Sequence, residues 1–341
     1  MGGARPELGS IETVLVDDAG DDGTAEAAAA LYPGVRVLRL ARQAGFTHAA
    51  NRGLAAASGS VLLLLNSDAE VGGDGAGLAA LLASFAAEPR LGIAGAALRY
   101  PDGTPQWSGG GGEPTARWLF ALASGLPEAL GRMPLYRRLR PASGTGAPGG
   151  GRGGESDGHG GSGQGGGGGA GEVAWVTGAA MAIRRTAWQQ VGPLDERFRF
   201  YAQDLDLCVR ARQAGWKVAV VPEFEVIHHH GATILAESGR RTRRGAQHPE
   251  LLWTDLLRWA SKRGGEPAAR RAARALIAGG WLRLAGRRLA APLVPAARRA
   301  GFRADSAAFG RALAAVRAAR AAAAGGGTGG GAGGLPSGFP G

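Results

Sequence analysis

Two acidic residues, Asp204 and Asp206, stand one position apart after an aromatic-rich turn, in the stretch YAQDLDLCVRARQAG. Such a pair can be the ordinary solvated first turn of a helix, where carboxylates interact favourably with the helix dipole. Alternatively, one carboxylate can act as a general base, which must reach the proton that it removes. The two residues alone leave both interpretations open.

Acidic residues also follow two strongly apolar stretches. VLLLLNSDAEV places Asn66 and Asp68 after one run, and VLVDDAGDDGT places Asp17 and Asp18 after another. Acids at the ends of buried strands bind metal ions or nucleotide hydroxyl groups, and Mg²⁺ typically takes only one or two protein carboxylates beside substrate phosphates. The alternative is that these residues cap turns and helices.

Three consecutive histidines, at 228–230, stand at the end of a predicted strand. Because side chains alternate along a strand, His228 and His230 point to one face and His229 to the other. A surface histidine cluster is most often inert, but a metal at Asp68 needs further ligands, and imidazole suits manganese as well as zinc. Cys208 is the single cysteine, which excludes a disulfide framework and a thiolate metal site.

The elements that would position these residues alternate along the chain. From residue 11 to residue 99, apolar runs typical of strands are separated by alanine-rich stretches typical of helices. This alternation predicts an α/β fold with a mostly parallel sheet and helices on both faces. Ligands in such folds bind at the carboxyl ends of the strands, which is where the acids stand.

Glycine divides the chain into segments. The 341 residues include 62 glycines, which are concentrated at 143–171 and 323–341, and both segments are predicted to be disordered. The rest is predicted to form one domain over 11–235, interrupted by the 143–171 insert, and an Arg-rich amphipathic helical region over 249–322. The insert could be a mobile lid, although inert low-complexity expansion is the simpler interpretation.

The formal net charge of +11 is almost entirely arginine. No nucleic-acid-binding signature accompanies these residues, so no nucleic-acid partner is expected. The N-terminus lacks a signal-peptide pattern and no apolar run reaches the ~20 residues of a membrane span, which predicts a cytoplasmic protein. The helices after 249 either pack with solvated arginine faces or lie on the inner face of the plasma membrane through Trp253, Trp259 and Trp281.

Six segments in this order resemble the inverting glycosyltransferase family 2, of GT-A fold, and most closely its bacterial rhamnosyltransferase-like members. They are VLVDDAGDDGT, RQAGFTHAANRG, NSD, WVTGAAMAIRR, LDERFRFYAQDLDLCVR and HHHGAT. The resemblance implies a GT-A domain followed by C-terminal helices. It also implies inverting transfer of a sugar from a UDP- or dTDP-linked donor, such as dTDP-rhamnose, to a hydroxyl of a glycan or lipid-linked glycan, with Mg²⁺ or Mn²⁺ as cofactor.

The resemblance assigns roles to matching residues. It implies a general base at Asp204 and metal ligands at Asp68 and His228. The donor-binding residues that it implies are Asp17, Asp18, Gly45, Asn51, Asn66 and Asp68. The acceptor-side residues are Trp175, Gly178, Gln203 and Asp206, of which Asp206 is expected to have mainly a structural role.

The chain departs from the family's pattern at three places. The family's opening strand and helix are missing before the first motif, which begins at Val14. Either the start is misassigned, or the chain is a fragment with a compromised donor site. Gln203 replaces the usual Glu, and the glycine-rich insert precedes the Trp-Val-Thr-Gly strand. Two alternatives stay open: a degenerate, non-catalytic sugar-nucleotide-binding or scaffold protein of a membrane-associated glycan assembly complex, and a nucleotidyltransferase.

Overall fold

The computed structural model describes residues 10–73, 75–106, 109–127, 171–229 and 248–325. These residues form two compact units. The first contains the described residues up to 113 together with 171–229, and the second contains 114–127 together with 248–325. The predicted insert lies outside the described residues except for Gly171, and the predicted tail except for 323–325. The second unit is therefore assembled from two separate stretches of sequence.

From residue 13 to residue 99, helices separate most of the strands, as the apolar pattern predicts. The strands are β1 (Thr13–Asp17), β2 (Val35–Arg39), β3 (Val61–Leu65), β4 (Ala69–Val71), β5 (Leu91–Arg99), β6 (Gly110–Gly111), β7 (Gly171–Glu172), β8 (Trp175–Val176), β9 (Ala180–Arg184) and β10 (Lys217–His228). The helices are α1 (Thr24–Leu31), α2 (Phe46–Ala56), α3 (Ala76–Ala87), α4 (Ala116–Ser124), α5 (Arg185–Val191), α6 (Gln203–Gln213), α7 (Pro249–Ala290) and α8 (Arg299–Gly325).

A six-stranded sheet forms the centre of the first unit. Its strand order is β3-β9-β5-β10-β4, and β7 also pairs with β10. β5 and β10 are parallel, whereas β9 runs antiparallel to both of its neighbours, β3 and β5. The α/β class is confirmed, but the sheet is mixed where the sequence predicts a mostly parallel one. The difference arises because β9 enters in reverse between two strands that come earlier in the chain.

Alternation along these strands builds one core on each face of the sheet. Ile93, Met181 and Val218 point to a cluster that also contains Leu207 of α6. Four alanines next to them in sequence point to the other face beside Phe85 of α3: Ala94, Ala180, Ala182 and Ala219. Alanine leaves room for α3 to lie close to the sheet, so the residue pattern of the strands sets which helix packs on which face.

β3 is half exposed although its sequence is entirely apolar. Leu62 is buried, but Leu65 is 38% exposed, and beyond β3 no further strand is paired in the part of the chain that the structure describes. β1 and β2 form a separate parallel pair, from Thr13 opposite Val35 to Asp17 opposite Arg39. A continuous apolar run is typical of a strand inside a sheet, yet here it forms the edge.

The second unit consists of α4, α7 and α8. Arg283 of α7 donates from Nε to the carbonyl oxygen of Ala123, at 2.8 Å, and from Nη2 to that of Leu122, at 3.0 Å. Such bonds satisfy carbonyl groups that a helix C-terminus leaves without intrahelical partners. Gly279 permits the close approach, since a Cβ there would lie 2.6 Å from the carbonyl oxygen of Phe120. The C-terminal part of α7, at Gly279 and Arg283, is thereby packed against α4.

Two of the three tryptophans predicted to lie at a membrane surface are in the core of the second unit. Trp253 is 1% exposed and Trp259 is 5% exposed, so the prediction is wrong for both: they lie on the packed side of α7. Trp281 is 47% exposed. The described part of the chain contains no helix that is both long and apolar enough to cross a membrane.

Burial gives the single cysteine a testable property. Cys208 is fully buried in α6, and this burial raises the pKa of its thiol to about 12. Because the thiolate is the reactive form, we expect a thiol reagent at about pH 8 to leave native Cys208 unmodified and to label one thiol per chain in denaturant. Mass spectrometry measures both states. Rapid labelling of the native protein would contradict the packing of α6.

Candidate active site

Asp204 lies in the first turn of α6, directly after a strained residue. Ala202 has φ 65° and ψ 0°, a left-handed conformation that is uncommon for residues with a side chain. The Oδ2 atom of Asp204 accepts a hydrogen bond from the N–H of Gly178 at 2.9 Å, and Oδ1 accepts one from the N–H of Leu205 at 2.8 Å. The turn before β9 therefore holds this carboxylate.

Burial raises the pKa of the Asp204 carboxyl above its ordinary value, because removal from water disfavours the charged form. The N–H groups of Gly178 and Leu205, and the Thr177 hydroxyl, act in the opposite direction and offset part of the effect. The result is a carboxyl that is easier to protonate than an exposed aspartate. A group of this kind is suited to accept a proton from a neutral hydroxyl.

Asp206 has a different environment from Asp204. Its Oδ2 accepts a hydrogen bond from Nε of Arg210, one helical turn later, at 2.8 Å. Arg210 also donates to the carbonyl oxygens of Val191 and Pro193, at the end of α5 and just after it. Asp206 thus orients the arginine that holds the α5–α6 connection, which agrees with the structural role expected for it.

Asp68 and His228 are brought together at the ends of β3 and β10. Oδ1 of Asp68 lies 3.3 Å from Nε2 of His228, and the side chains are 6% and 9% exposed. The backbone N–H of His229 donates to the carbonyl oxygen of Asp68 at 2.8 Å, so the pairing also fixes the main chain. His229 itself points away, with Nε2 at 2.8 Å from Glu70 Oε1, as strand alternation predicts.

Gln106 orients His228, a contact that sequence reasoning does not detect. Nε2 of Gln106 donates to the carbonyl oxygens of His228 and Arg99, so its Oε1 is left to face Nδ1 of His228, at 3.1 Å. A carbonyl oxygen accepts only, which assigns the hydrogen of a neutral ring to Nδ1. The Nε2 lone pair then faces Asp68, as a metal-ligating histidine requires.

Two buried amide oxygens lie near these groups without a donor. Asn66 Oδ1 and Gln203 Oε1 have no hydrogen-bond partner among the described residues, and Gln203 is only 4% exposed. A buried acceptor without a donor costs about 1–3 kcal/mol, so each suits a hydroxyl or amide from a ligand. The N–H of Asn66 donates to the carbonyl oxygen of Ala179 at 3.0 Å, which places Asn66 beside the turn that holds Asp204.

Asp17 and Asp18 lie at the end of β1, and both have protein partners. Oδ2 of Asp17 accepts a bond from Nε of Arg39 at 2.8 Å, and Oδ1 accepts one from the N–H of Gly20 at 2.8 Å; Arg39, followed by Gly20, lowers the pKa of Asp17. Asp18 accepts bonds from the N–H groups of Ala44 and Gly45 at 2.8 and 2.7 Å. These acids fix the loop before α2.

Asn51 connects α2 to the segment that leads into α6. Its Nδ2 donates to the carbonyl oxygen of Leu194 and its Oδ1 accepts from the N–H of Leu194, both at 2.9 Å. Nδ2 also donates to Oε1 of Glu196 at 3.0 Å. Every polar atom of the amide is therefore engaged, and the geometry favours a positioning role for Asn51 over the predicted contact with the donor.

Of the remaining predicted residues, Trp175 and Gly178 lie in or next to the turn before β9, and Gly45 lies before α2. Gly45 is the left-handed residue before α2, with φ 88°. Trp175 donates from Nε1 to the carbonyl oxygen of Gly112 at 3.0 Å, and Gly178 supplies the N–H that holds Asp204. Asn66, Gly178 and Asp204 thus form one cluster, with the Asp68–His228 pair joined to it through the short connection after β3.

Two protein-family models match this chain. The family model described as "Glycosyl transferase family 2" matches residues 6–147, and the one described as "Glycosyltransferase like family 2" matches residues 167–248. The chain belongs to glycosyltransferase family 2. This membership agrees with the predicted resemblance and with the observed α/β fold.

Several relatives of this family-2 chain have names. It is 30% identical over 240 residues to the N-acetylglucosaminyl-diphospho-decaprenol L-rhamnosyltransferase of Mycobacterium tuberculosis strain H37Rv, a match that covers 64% of this chain and 66% of the relative, just under two thirds of its length. It is 28% identical over 205 residues to the O-antigen biosynthesis protein RfbC of Myxococcus xanthus, covering 60% and 14% of the two chains. It is 37% identical over 60 residues to the rhamnosyltransferase WbbL of Escherichia coli K12, covering 17% and 23%.

Two solved structures are also similar. The mannosyltransferase PcManGT from Pyrobaculum calidifontis in complex with GDP-Man and Mn²⁺ is 16% identical, with a TM-score of 0.46, and the match covers 91% of this chain and 77% of that one. GalNAc-T7 with UDP, GalNAc and Mn²⁺ is 16% identical, with a TM-score of 0.46, covering 86% and 48%.

The environment of Asn51 predicts a loss of stability when its amide is removed. Asn51→Leu leaves the N–H and C=O groups of Leu194 without partners, and we expect the free energy of unfolding to fall by about 2–4 kcal/mol, measured by urea denaturation. The matched control is Arg52→Ala, at the exposed neighbouring position, with a change within about 0.5 kcal/mol. Normal stability of Asn51→Leu combined with lost nucleotide binding would instead indicate direct contact with the donor.

Proposed function

We propose that this chain transfers a glycosyl group from a nucleotide-diphosphate sugar to a hydroxyl of a glycan or lipid-linked glycan, with inversion at the anomeric carbon. The observation that carries the proposal is the half-buried Asp204 carboxylate, which is held by the N–H of Gly178 and raised in pKa. Nearby lie two amide oxygens that can accept hydrogen bonds, those of Asn66 and Gln203, and the imidazole of His228. Family membership supports glycosyl transfer as the reaction class.

Asp204 acts as the general base in this proposal. A sugar hydroxyl is a weak nucleophile near neutral pH, and a base within hydrogen-bond reach removes its proton as the new glycosidic bond forms. The donor loses its nucleoside diphosphate from the opposite face, so a single displacement inverts the anomeric centre, by the same stereochemical logic as in inverting glycosidases. The raised pKa brings the base nearer to the pH at which it must accept a proton.

Gln203 would contact the acceptor. Its buried Oε1 has no hydrogen-bond donor within the described parts of the chain, and a second hydroxyl of the acceptor sugar would supply one. An amide at this position adds no negative charge beside Asp204, whereas a glutamate would raise the pKa of the base further. Gln203 therefore suits orientation of the acceptor, and Asp204 suits proton removal.

Asp68 and His228 fit a divalent cation shared with the donor diphosphate. Among the described residues no group of three or more His, Cys, Asp and Glu side chains could hold a metal ion. A site with few protein ligands is usual for Mg²⁺, which takes its remaining ligands from phosphate and water, and imidazole also suits Mn²⁺. A bound cation neutralises charge on a departing diphosphate. Asn66, Asp17 and Asp18 would complete the donor side.

The names of the relatives support a more specific version of the proposal. Two of them are rhamnosyltransferases by name, and the mycobacterial one is named for a diphospho-decaprenol acceptor. We extend this to a dTDP-rhamnose donor and a lipid-linked glycan acceptor for this chain. A substrate screen with UDP- and dTDP-sugars tests the donor, and NMR of the product's anomeric proton tests inversion.

One observation favours a non-catalytic alternative. β1 and β2 are not hydrogen-bonded to the six-stranded sheet within the described residues, so the part of the site that carries Asp17 and Asp18 is held less firmly than the part around Asp204. A protein that binds sugar nucleotides without turnover would fit this arrangement. Nucleotide-sugar binding by calorimetry, with no product after prolonged incubation with acceptor, would support that alternative over catalysis.

Asp204→Asn tests the proposed base. We expect turnover to fall about 10²- to 10⁴-fold with nucleotide-sugar binding unchanged, because the amide keeps the shape of the carboxyl and cannot take the proton. The matched control is Asp206→Asn, two residues on, which breaks the ion pair with Arg210 and should lower stability more than turnover. Near-normal turnover of Asp204→Asn would reject Asp204 as the base.

The pH dependence of kcat/KM gives a second test of the same residue. The base must be deprotonated in the free enzyme, so kcat/KM rises with pH through the pKa of Asp204. Because burial raises that pKa above 3.8, the acid limb should lie at a higher pH than an ordinary aspartate gives. An acid limb at or below that ordinary value would contradict the burial of the base.

Gln106→Leu tests the orientation of His228. The substitution removes the acceptor at Nδ1, and loss of such a contact typically weakens metal affinity about 10- to 100-fold. We expect Mn²⁺ binding with dTDP or UDP, followed by electron paramagnetic resonance, to weaken accordingly. Thr104→Ala, an exposed change in the same loop, is the control and should bind Mn²⁺ normally. Unchanged Mn²⁺ affinity in a folded Gln106→Leu variant would remove His228 from the metal site.

A further inference from the structure

The end of the α7–α8 hairpin exposes large apolar side chains. Leu289 is 81% exposed and Leu293 is 84% exposed, and Leu282 is 43% exposed. Leu282 and Leu289 are seven residues apart in α7, which places them on nearly one side of a helix of 3.6 residues per turn. Leu293 follows in a short 3-10 turn, Ala291–Leu293, after α7 ends. Single exposed leucines are ordinary on a protein surface, but a stripe of them at a chain reversal indicates a partner.

The opposite side of the same segment fixes the hairpin. Arg287 donates from Nη2 to the carbonyl oxygen of Phe302 and from Nε to Oγ of Ser306, both at 2.7 Å. Its guanidinium lies 4.0 Å from the centre of the Phe302 ring. Farther along, Gly280 would place a Cβ 3.4 Å from Leu313. α7 and α8 therefore run antiparallel, and the exposed leucines face away from the packed side.

The charge around the exposed leucines is mainly positive, and the nearest acid, Asp305, lies 3.7 Å from Arg287. Between Glu266 and Asp305 the sequence contains nine arginines and no acidic residue. Arg288, Arg299 and Arg303 are exposed beside the turn, and no carboxylate of the described residues forms an ion pair with any of the three. Arg288 and Arg303 also line one groove together with Phe302, which offers two guanidinium groups to an anion.

We propose that this hairpin tip, comprising Leu282, Arg288, Leu289, Leu293, Arg299 and Arg303, docks on the surface of an anionic lipid bilayer. The leucine stripe enters the boundary between headgroups and acyl chains, and the arginines contact lipid phosphates. The protein lies on the membrane through this tip without spanning it. The proposal does not depend on the reaction at Asp204, although a surface site suits an enzyme whose acceptor carries a lipid.

The apolar stripe argues for lipid rather than nucleic acid as the occupant. Nucleic-acid surfaces use polar and aromatic side chains to contact phosphates and to stack on bases, and aliphatic leucines at the most exposed positions would remain unburied. At a bilayer the leucines gain an apolar environment while the arginines keep phosphate partners. An acidic protein partner would use the arginines but would not require the leucine stripe to enter an acyl layer.

Vesicle co-sedimentation of the full chain tests the proposal. We expect the wild-type protein to bind phosphatidylcholine vesicles that contain phosphatidylglycerol, with weaker binding at high salt and little binding to phosphatidylcholine alone. Leu289→Ser/Leu293→Ser should lower the affinity at least about tenfold. Arg288→Gln/Arg303→Gln should lower it about fivefold per arginine at low salt. Leu31→Ser is the matched control, since Leu31 is 70% exposed in the first unit, and it should bind as wild type.

Three results would overturn the proposal. The first is absence of wild-type binding to the phosphatidylglycerol vesicles. The second is unchanged binding by both tip variants, or an equal loss in Leu31→Ser. The third is full displacement of the protein from vesicles by a DNA duplex that the leucine variant binds as tightly as wild type, which would identify a nucleic-acid surface. Far-ultraviolet circular dichroism of each variant, unchanged from wild type, shows that a lost affinity is not a lost fold.

Discussion

The hydrogen bond from the Gly178 N–H to the Asp204 carboxylate is the contact on which the arrangement of the site depends. A carboxylate removed from water needs donors, and the turn before β9 supplies one while the start of α6 supplies the other. The same turn receives the N–H of Asn66 through Ala179. The reversed entry of β9 between β3 and β5 therefore brings the Asn66 amide and the Asp204 carboxylate to one place.

Chemically identical side chains differ in this protein because of their surroundings. Arg39 lowers the pKa of Asp17, which keeps that acid charged and bound to the loop. Burial raises the pKa of Asp204, so its carboxylate takes up a proton more readily than an exposed aspartate does. Asp206 forms an ion pair with Arg210. The three aspartates therefore differ in environment: Asp17 and Asp206 each pair with an arginine, whereas Asp204 is held by backbone N–H groups.

Much of the architecture can be read from residue patterns, but the partners of each element cannot. Apolar runs predict β1, β3, β5 and β10, and acids at the ends of β1 and β3 indicate the candidate site, because these signals are local. The direction of β9, the burial of Trp253 and Trp259, and the contact of Gln106 with His228 depend on residues far apart in sequence. Asn51 shows the same limit. Its position in a family motif suggests contact with a ligand, whereas its amide forms hydrogen bonds with the backbone of Leu194.

The discontinuous second unit has a consequence for how this protein can change. α4 precedes the glycine-rich segment, yet the carbonyl groups at its end are satisfied by Arg283, about 160 residues later in the chain. The C-terminal helices are therefore not an appendage that recombination or a stop codon could remove cleanly. A chain ending after β10 would keep α4 but lose the helix that packs against it. Truncation at this apparent domain boundary would therefore expose an apolar face of α4 to solvent. Because α4 lies within the sequence of the first unit, a gene rearrangement cannot separate the two units at one point in the chain.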